Sequence, residues 1–242
     1  MNPTVRPPDT VRGDLPPTAV VMPVYNEASV VRRVIAELVD LGLTVIAVDD
    51  GSTDDSAAEI DAAGAIRVSH PINLGQGGAL QTGFLAALRF TDAKYIATFD
   101  ADGQHQAQDL LGMIAKAQEG YDVVLGSRFL DGKTEMGGLR RFLLKTATKV
   151  LNRRSRTKLT DAHNGLRLMT RDVAARIDLA HMGMAHATEL EQVLTQSDYR
   201  VTEYPVHILY TDYSRSKGQP LLNSVNILFD ILFHRVSTWS RR

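Results

Sequence analysis

Three times before residue 106 an apolar run stops abruptly at acidic side chains: "VVMPVYNE", "LTVIAVDDGS" and "KYIATFDADG". The runs are continuous rather than alternating, so each strand must be covered on both faces. Between them lie segments with apolar residues at helical spacing: "ASVVRRVIAELVDLG", "DDSAAEIDAAG" before a third strand "AIRVSH", and "GGALQTGFLAALRF". Strands alternating with helices imply a parallel sheet sandwiched by helices, and such sheets take ligands at the carboxyl ends of their strands. The polar clusters all fall at those ends. A helix over 107–119, a strand "YDVVLGSR", a helix "HATELEQVLTQSDY" and a strand "RVTEYPVHILY" are predicted further on.

Composition narrows the function. The formal charge is −1 and the pI about 6.7, so no global basic field attracts nucleic acid, and a charged partner must meet a local patch. Without cysteine, disulfides and thiolate metal sites are excluded. Residues 1–18 are proline-rich and polar with no apolar centre, which reads as a flexible leader on a cytosolic protein. Eighteen consecutive apolar residues occur nowhere, so no membrane-spanning helix is expected.

Asp100 and Asp102, one residue apart where a strand ends, can both turn toward one hard cation that takes oxygen ligands. For an isolated Asp-x-Asp a solvated turn is the commoner outcome. An EF-hand loop fits badly, because His105 stands where glycine is needed and Leu111 where glutamate is needed. Company changes the balance: Asp49 and Asp50 end one neighbouring strand, and Tyr25 and Glu27 follow another. Directional acceptors with a flat ring suit a base or sugar, and a diphosphate needs a cation to balance its charge. A half-buried core aromatic is the plain alternative for Tyr25. Asn73, Gly75, Gly77 and Gly78 precede a helix, which would let backbone amides approach an anion. Neither a dinucleotide fingerprint nor a P-loop matches there, and a tight turn is the bland alternative.

Taken together, "VVMPVYNE", "VIAVDDGSTDDS", "NLGQGGALQTGF", "FDADGQHQ", "VVLGSRF" and "DAHNGLRLM" resemble glycosyltransferase family 2, particularly polyprenyl-phosphate sugar synthases similar to dolichol-phosphate mannose synthase. The resemblance spans about residues 19–220. It implies a GT-A, Rossmann-like α/β fold and inversion at the sugar's anomeric carbon. By the same resemblance Pro23, Tyr25, Glu27 and Asp50 line the nucleoside site, with Asp49 close by. Asp100, Asp102 and Gln104, with Ala101 between, hold Mg²⁺ or Mn²⁺ on the donor diphosphate, and Arg128 faces the phosphates. Two departures bear on the sugar and acceptor. His163-Asn164 replaces the family's usual Thr-Ser before glycine, and in "YTDYSRSKGQP" Ser214 replaces a glycine, leaving Arg215 and Lys217 as the expected phosphate contacts.

The acceptor decides what else is needed. A sugar hydroxyl must lose a proton, where a positioned base contributes on the order of 10²–10⁴-fold; a polyprenyl phosphate is already an anion and needs only cationic guidance. His186, Glu189 and Glu191 are the candidate bases, and the sequence leaves the choice open. Residues 136–160 contain eight Lys or Arg and no Asp or Glu. There Leu139, Leu143, Ala147 and Val150 form one stripe, with Arg140, Arg141, Lys145 and Lys149 elsewhere, the pattern of a helix lying in a membrane interface. Arg140 is counted with the acceptor contacts. Residues 221–239 align a second apolar face, suited to the interface, to another copy or to a small membrane-protein partner.

The expected organisation is a leader (1–18), a catalytic domain (19–220; nucleotide half 19–106, acceptor half 107–220) and an amphipathic C-terminal helix (221–242). The expected activity is metal-dependent, inverting transfer of a sugar from a nucleotide sugar to polyprenyl phosphate, on the inner face of the plasma membrane. Transfer to a hydroxyl of a lipid-linked glycan is the variant. A sugar-nucleotide pyrophosphorylase and a silent membrane scaffold are the readings from other classes.

Overall fold

The computed structural model describes residues 15–130, 157–161, 164–183, 185–196 and 198–209, with 145, 146, 148, 149 and 152 as separate positions. Expectations for the leader, the basic stripe, Arg140, His163, Arg215, Lys217 and the segment 221–239 lie outside those residues, apart from the few positions named.

Seven strands form one sheet: β1 (Thr18–Val24), β2 (Thr44–Asp49), β3 (Ile66–Ser69), β4 (Tyr95–Thr98), β5 (Val123–Ser127), β6 (Arg167–Thr170) and β7 (Val201–Pro205). Their spatial order is β3-β2-β1-β4-β6-β5-β7. All neighbours run parallel except β6, which is antiparallel to both β4 and β5. The mostly parallel α/β sheet is as expected, but β6 was not foreseen. It is four residues long, opens on an arginine, and lies in a segment readable from sequence only as a motif.

Helices α1 (Val31–Asp40) and α4 (Ala107–Gln118) cover one face; α3 (Gln76–Phe90), the short α5 (Arg171–Ala174) and α6 (His186–Gln196) cover the other. Helix α2 (Ser56–Ala62) packs beside α1. The apolar residues of α1, Val31, Val34, Ile35 and Leu38, recur at helical spacing and are all buried. Along β1, Val20, Met22 and Val24 join the core under α1 and α4, while Ala19 and Val21 join the core under α3 and α6. Period-two alternation therefore delivers side chains to two dry layers, which is why the strand is apolar throughout. Burying such runs contributes roughly 25 cal/mol per Å² of apolar surface.

Parallel pairing has a consequence for the site. Because β2, β1 and β4 are adjacent and point the same way, the loops after Val24, Asp49 and Thr98 open on one edge of the sheet.

Candidate active site

The loops after β1 and β2 are laced into one unit. Asp50 donates its backbone N–H to Val24 O at 2.8 Å, Asn26 N–H reaches Ser52 Oγ at 3.0 Å, and Glu27 N–H reaches Ser56 Oγ at 2.8 Å. In return Asn26 Oδ1 accepts from Thr53 N–H at 2.8 Å. Asn26 holds a left-handed φ of 55°, a conformation its short amide tolerates. Tyr25 stands at this edge 47% exposed, so it presents a ring to solvent and is not a core aromatic.

The two acidic residues after Val48 divide their work. Asp49 Oδ1 accepts from Ser52 N–H at 3.1 Å. Asp50, expected to line the nucleoside site, is turned to its own chain. Its Oδ1 accepts from the His70 ring at 2.7 Å and from Leu74 N–H at 2.9 Å, and its Oδ2 from Gly75 N–H at 2.8 Å. The far nitrogen of His70 meets Thr82 Oγ1 at 2.9 Å. Asp50 thus fixes the approach to α3 instead of offering a free acceptor.

The glycines before α3 are also used differently from the expectation. Gly77 donates to Met182 O at 2.8 Å, and a Cβ on Gly75 would stand 2.6 Å from the same carbonyl, at a φ of 92° where side chains are strained anyway. A Cβ on Gly77 would collide with His181 O. Gly75 and Gly77 therefore allow segment 181–183 to lie against the start of α3, and the amides of both are already bonded. Asn73 is exposed beside them.

Past β4, Ala101 is buried in the core under α1 and α4, and Asp100 and Asp102 flank it. Asp100 Oδ2 accepts from His105 Nε2 at 3.1 Å and Oδ1 from Gln76 Nε2 at 3.2 Å. Burial opposes ionisation of Asp100, but the His105 bond and charge, and then Arg167, bring its carboxyl below the ordinary value. Asp102 goes the other way: burial and then the charge of Asp100 push it up to about 6. Its Oδ1 accepts from Gln104 N–H at 3.0 Å. Two close carboxylates resisting joint ionisation form an oxygen-only donor set that suits a hard divalent cation. Among the described residues no three such side chains gather, so a cation here would complete its shell from Gln104, a diphosphate or water.

Arg128, expected to face the phosphates, is instead buried and gripped by Asp161, with Nε 2.6 Å from Oδ2 and Nη2 2.7 Å from Oδ1. The residue that sequence reasoning missed is Arg167. It opens β6 opposite Thr98, is buried, and lies in the field of Glu191, Asp100 and Asp161. It stands in the same "DAHNGLR" string that marked the family, so the signal was present but carried no assignment. Asn164 is buried nearby and uses Oδ1 to accept from Leu166 N–H at 2.8 Å.

The three candidate bases differ sharply. Glu189 is committed to the loop before α6: it accepts from Ala180 N–H, His181 N–H and the His181 ring, each at 3.0 Å. Burial works against its charge, yet these bonds hold its carboxyl below the usual range. Glu191 is buried with Oε2 unpartnered among the described residues, and burial pushes it up to about 8 even against the pull of Arg167. His186 is buried, with Nδ1 2.7 Å from Gly183 O; burial lowers its pKa, that bond resists the change, and Arg167 lowers it further.

The sequence model of the family described as glycosyl transferase family 2 matches residues 19–178. The chain is 31% identical over 227 residues to an uncharacterized protein of Methanocaldococcus jannaschii, covering 90% of this chain and 91% of that one. It is 29% identical over 229 residues to an undecaprenyl-phosphate 4-deoxy-4-formamido-L-arabinose transferase of Shewanella sediminis, covering 88% of this chain and 65% of that protein. The chain thus spans slightly under two thirds of that relative's length. Among solved structures it is similar to glucosyl-3-phosphoglycerate synthase of Mycobacterium tuberculosis in complex with Mn²⁺, uridine diphosphate and glucosyl-3-phosphoglycerate. That likeness has a TM-score of 0.66 at 19% identity and covers 90% and 79% of the two chains. Mannosyl-3-phosphoglycerate synthase of Rubrobacter xylanophilus gives 0.65 at 16%, covering 93% and 75%. At such identities the structural likeness speaks for the fold, that of GT-A glycosyltransferases.

Proposed function

Since the chain belongs to glycosyltransferase family 2, we propose that it moves a sugar from a nucleotide-sugar donor to a polyprenyl phosphate, with inversion and with a divalent cation on the donor diphosphate. The observation that carries this reading is the Asp100–Asp102 pair, set beside the laced loops of β1 and β2. Membership in the family sets the pyrophosphorylase and the silent scaffold aside. The acceptor class is supported by the name of the Shewanella relative, an undecaprenyl-phosphate sugar transferase.

In this reading Tyr25 offers its exposed ring to the base, and Asp49 and Glu27 line the nucleoside site. Asp100, Asp102 and Gln104 would hold Mg²⁺ or Mn²⁺, which supplies Lewis-acid neutralisation of charge on the leaving diphosphate. An acceptor phosphate oxygen attacks the anomeric carbon from the side opposite the diphosphate, the new carbon–oxygen bond forms as the old one breaks, and the configuration inverts. Arg167, behind Asp100, adds fixed positive charge next to the group that departs. Arg128 acts indirectly, holding the segment around Asp161.

No base is required when the nucleophile is a phosphate. That agrees with Glu189, whose lone pairs are spent on the loop, and with Glu191, which holds its proton at neutral pH. One observation favours the hydroxyl variant: His186 points its Nδ1–H at Gly183 O and has a lowered pKa, leaving Nε2 free of a proton. Among the described residues no helix is long and apolar enough to cross a membrane. Placement on the inner membrane face rests on the basic, acid-free stretch 136–160 and the apolar face of 221–239.

The experiment is transfer of labelled sugar from a panel of nucleotide sugars, with Mg²⁺ or Mn²⁺, to undecaprenyl phosphate and in parallel to a lipid-linked glycan. Labelled undecaprenyl phosphate sugar supports the reading. Label found solely on the glycan replaces it with the hydroxyl variant.

A further inference from the structure

The aromatic ring next to the acidic pair is buried in a way that the transfer reaction alone does not explain. His105 is 7% exposed. Phe99 meets it edge to face, with ring centroids 5.4 Å apart and planes at 66°, an arrangement that fixes the imidazole's orientation. Its Nε2 lies 3.1 Å from Asp100 Oδ2. Its Nδ1 is buried and unpartnered among the described residues, so the ring makes a single polar contact there and makes it to Asp100.

Gly165 closes the other side of that carboxylate. A Cβ on Gly165 would collide with Asp100 Oδ2, and the carbonyl of the same residue accepts from Thr98 Oγ1 at 2.6 Å. Oδ2 is thus confined between an imidazole donor and the bare Cα of a glycine that is itself anchored to β4. Oδ1 faces the open side, where the exposed Gln76 reaches it at 3.2 Å. The Asp100 side chain as a whole is 34% exposed and that of His105 4%.

We propose that His105 is a positioning residue for Asp100: its Nε2–H and the glycine at 165 lock Oδ2 inward, so that Oδ1 is the oxygen presented to a divalent cation. This rests on the reading of Asp100 and Asp102 as cation ligands. Groups that hydrogen-bond a ligating carboxylate restrict its rotation, and losing one costs metal affinity on the order of 10- to 100-fold.

The test uses the full chain and Mn²⁺, alone and then with a nucleoside diphosphate present, with binding followed by the electron paramagnetic resonance of the free ion. His105→Leu keeps the ring's apolar packing against Phe99 but deletes the donor; His105→Gln keeps an amide donor near the position of Nε2. The expected result is Mn²⁺ binding weakened 10- to 100-fold in His105→Leu and restored to within about threefold of wild type in His105→Gln. Leucine removes a buried nitrogen that has no partner among the described residues but also leaves Asp100 Oδ2 without its donor, so the metal-free melting temperature of His105→Leu should fall, and Mn²⁺ binding is read on the folded chain well below the transition. A merely structural histidine would lower the melting temperature while leaving the Mn²⁺ affinity of the folded chain unchanged. Wild-type Mn²⁺ affinity in His105→Leu, or equal loss in both variants, overturns the positioning role. If the wild-type chain takes up no Mn²⁺ either alone or with a nucleoside diphosphate present, the cation reading of Asp100 and Asp102 fails, and this inference falls with it.

Discussion

At the ends of β1 and β2 the acidic side chains bond to backbone amides of nearby loops, whereas around β5, β6 and β7 several of them meet cations and one another beneath α6. Asp49 takes Ser52 N–H, and Asp50 takes Leu74 and Gly75 N–H together with the His70 ring. On the other side of the sheet Arg128 is clamped by Asp161, and Arg167 is buried in the field of Glu191 and Asp161. Carboxylates of the first kind stiffen the loops that the proposed reading assigns to the nucleotide. Charges of the second kind create a fixed, buried field in which each charge depends on its partner. One half of the molecule supplies shape, and the other supplies potential.

The difference predicts unequal sensitivity to deleting an acid. Asp161→Ala should be the most damaging for stability, about 3–5 kcal/mol by chemical denaturation, because it removes the bidentate carboxylate that faces the buried Arg128 guanidinium. A loss under 1 kcal/mol would show that Arg128 finds solvent easily and that the second half is not a closed charge system. Asp50→Ala should cost less, about 2 kcal/mol, since the freed N–H groups of Leu74 and Gly75 lie in a partly exposed loop. Its nucleotide affinity should fall as the loop loosens, checked by calorimetry.

Glu191 sharpens the comparison through pH. Its folded pKa, raised to about 8 from an ordinary 4.5, means that between those values the folded chain keeps a proton that the unfolded chain releases. Stability from this group therefore falls as pH rises through that window. Glu191→Gln should match wild type near pH 4.5 and exceed it by roughly 5 kcal/mol above pH 8. A difference independent of pH would mean that Arg167 already holds Glu191 ionised.

Much of the first half was legible in the sequence, because continuous apolar runs and helical spacing record a covered parallel sheet directly. The convergence of Tyr25, Asp49, Asp100 and Asp102 on one edge followed from that order alone. What stayed hidden depended on contacts distant in the chain. Gly75 and Gly77 looked like an anion cradle because nothing local announces that segment 181–183 packs on them. Arg128 looked free because its partner lies thirty-three residues on. Strand β6 escaped because four residues starting with a buried arginine break the apolar pattern, and that arginine is tolerated only in the field of Asp100, Asp161 and Glu191. The three base candidates were equivalent on paper; burial and bonding, which sequence spacing does not record, made one a loop clamp, one a neutral acid and one a neutral imidazole.

The central claim is that Asp100 and Asp102 together hold a divalent cation against the donor's diphosphate. The most direct measurement is nucleoside diphosphate affinity by calorimetry, with and without Mn²⁺, for the wild-type chain and for Asp102→Asn. The account predicts that Mn²⁺ tightens binding about tenfold or more in the wild type, or roughly 1.4 kcal/mol, that this gain fades as pH falls below about 6, and that Asp102→Asn abolishes it. Equal Mn²⁺ enhancement in both proteins, or none in the wild type, would contradict it.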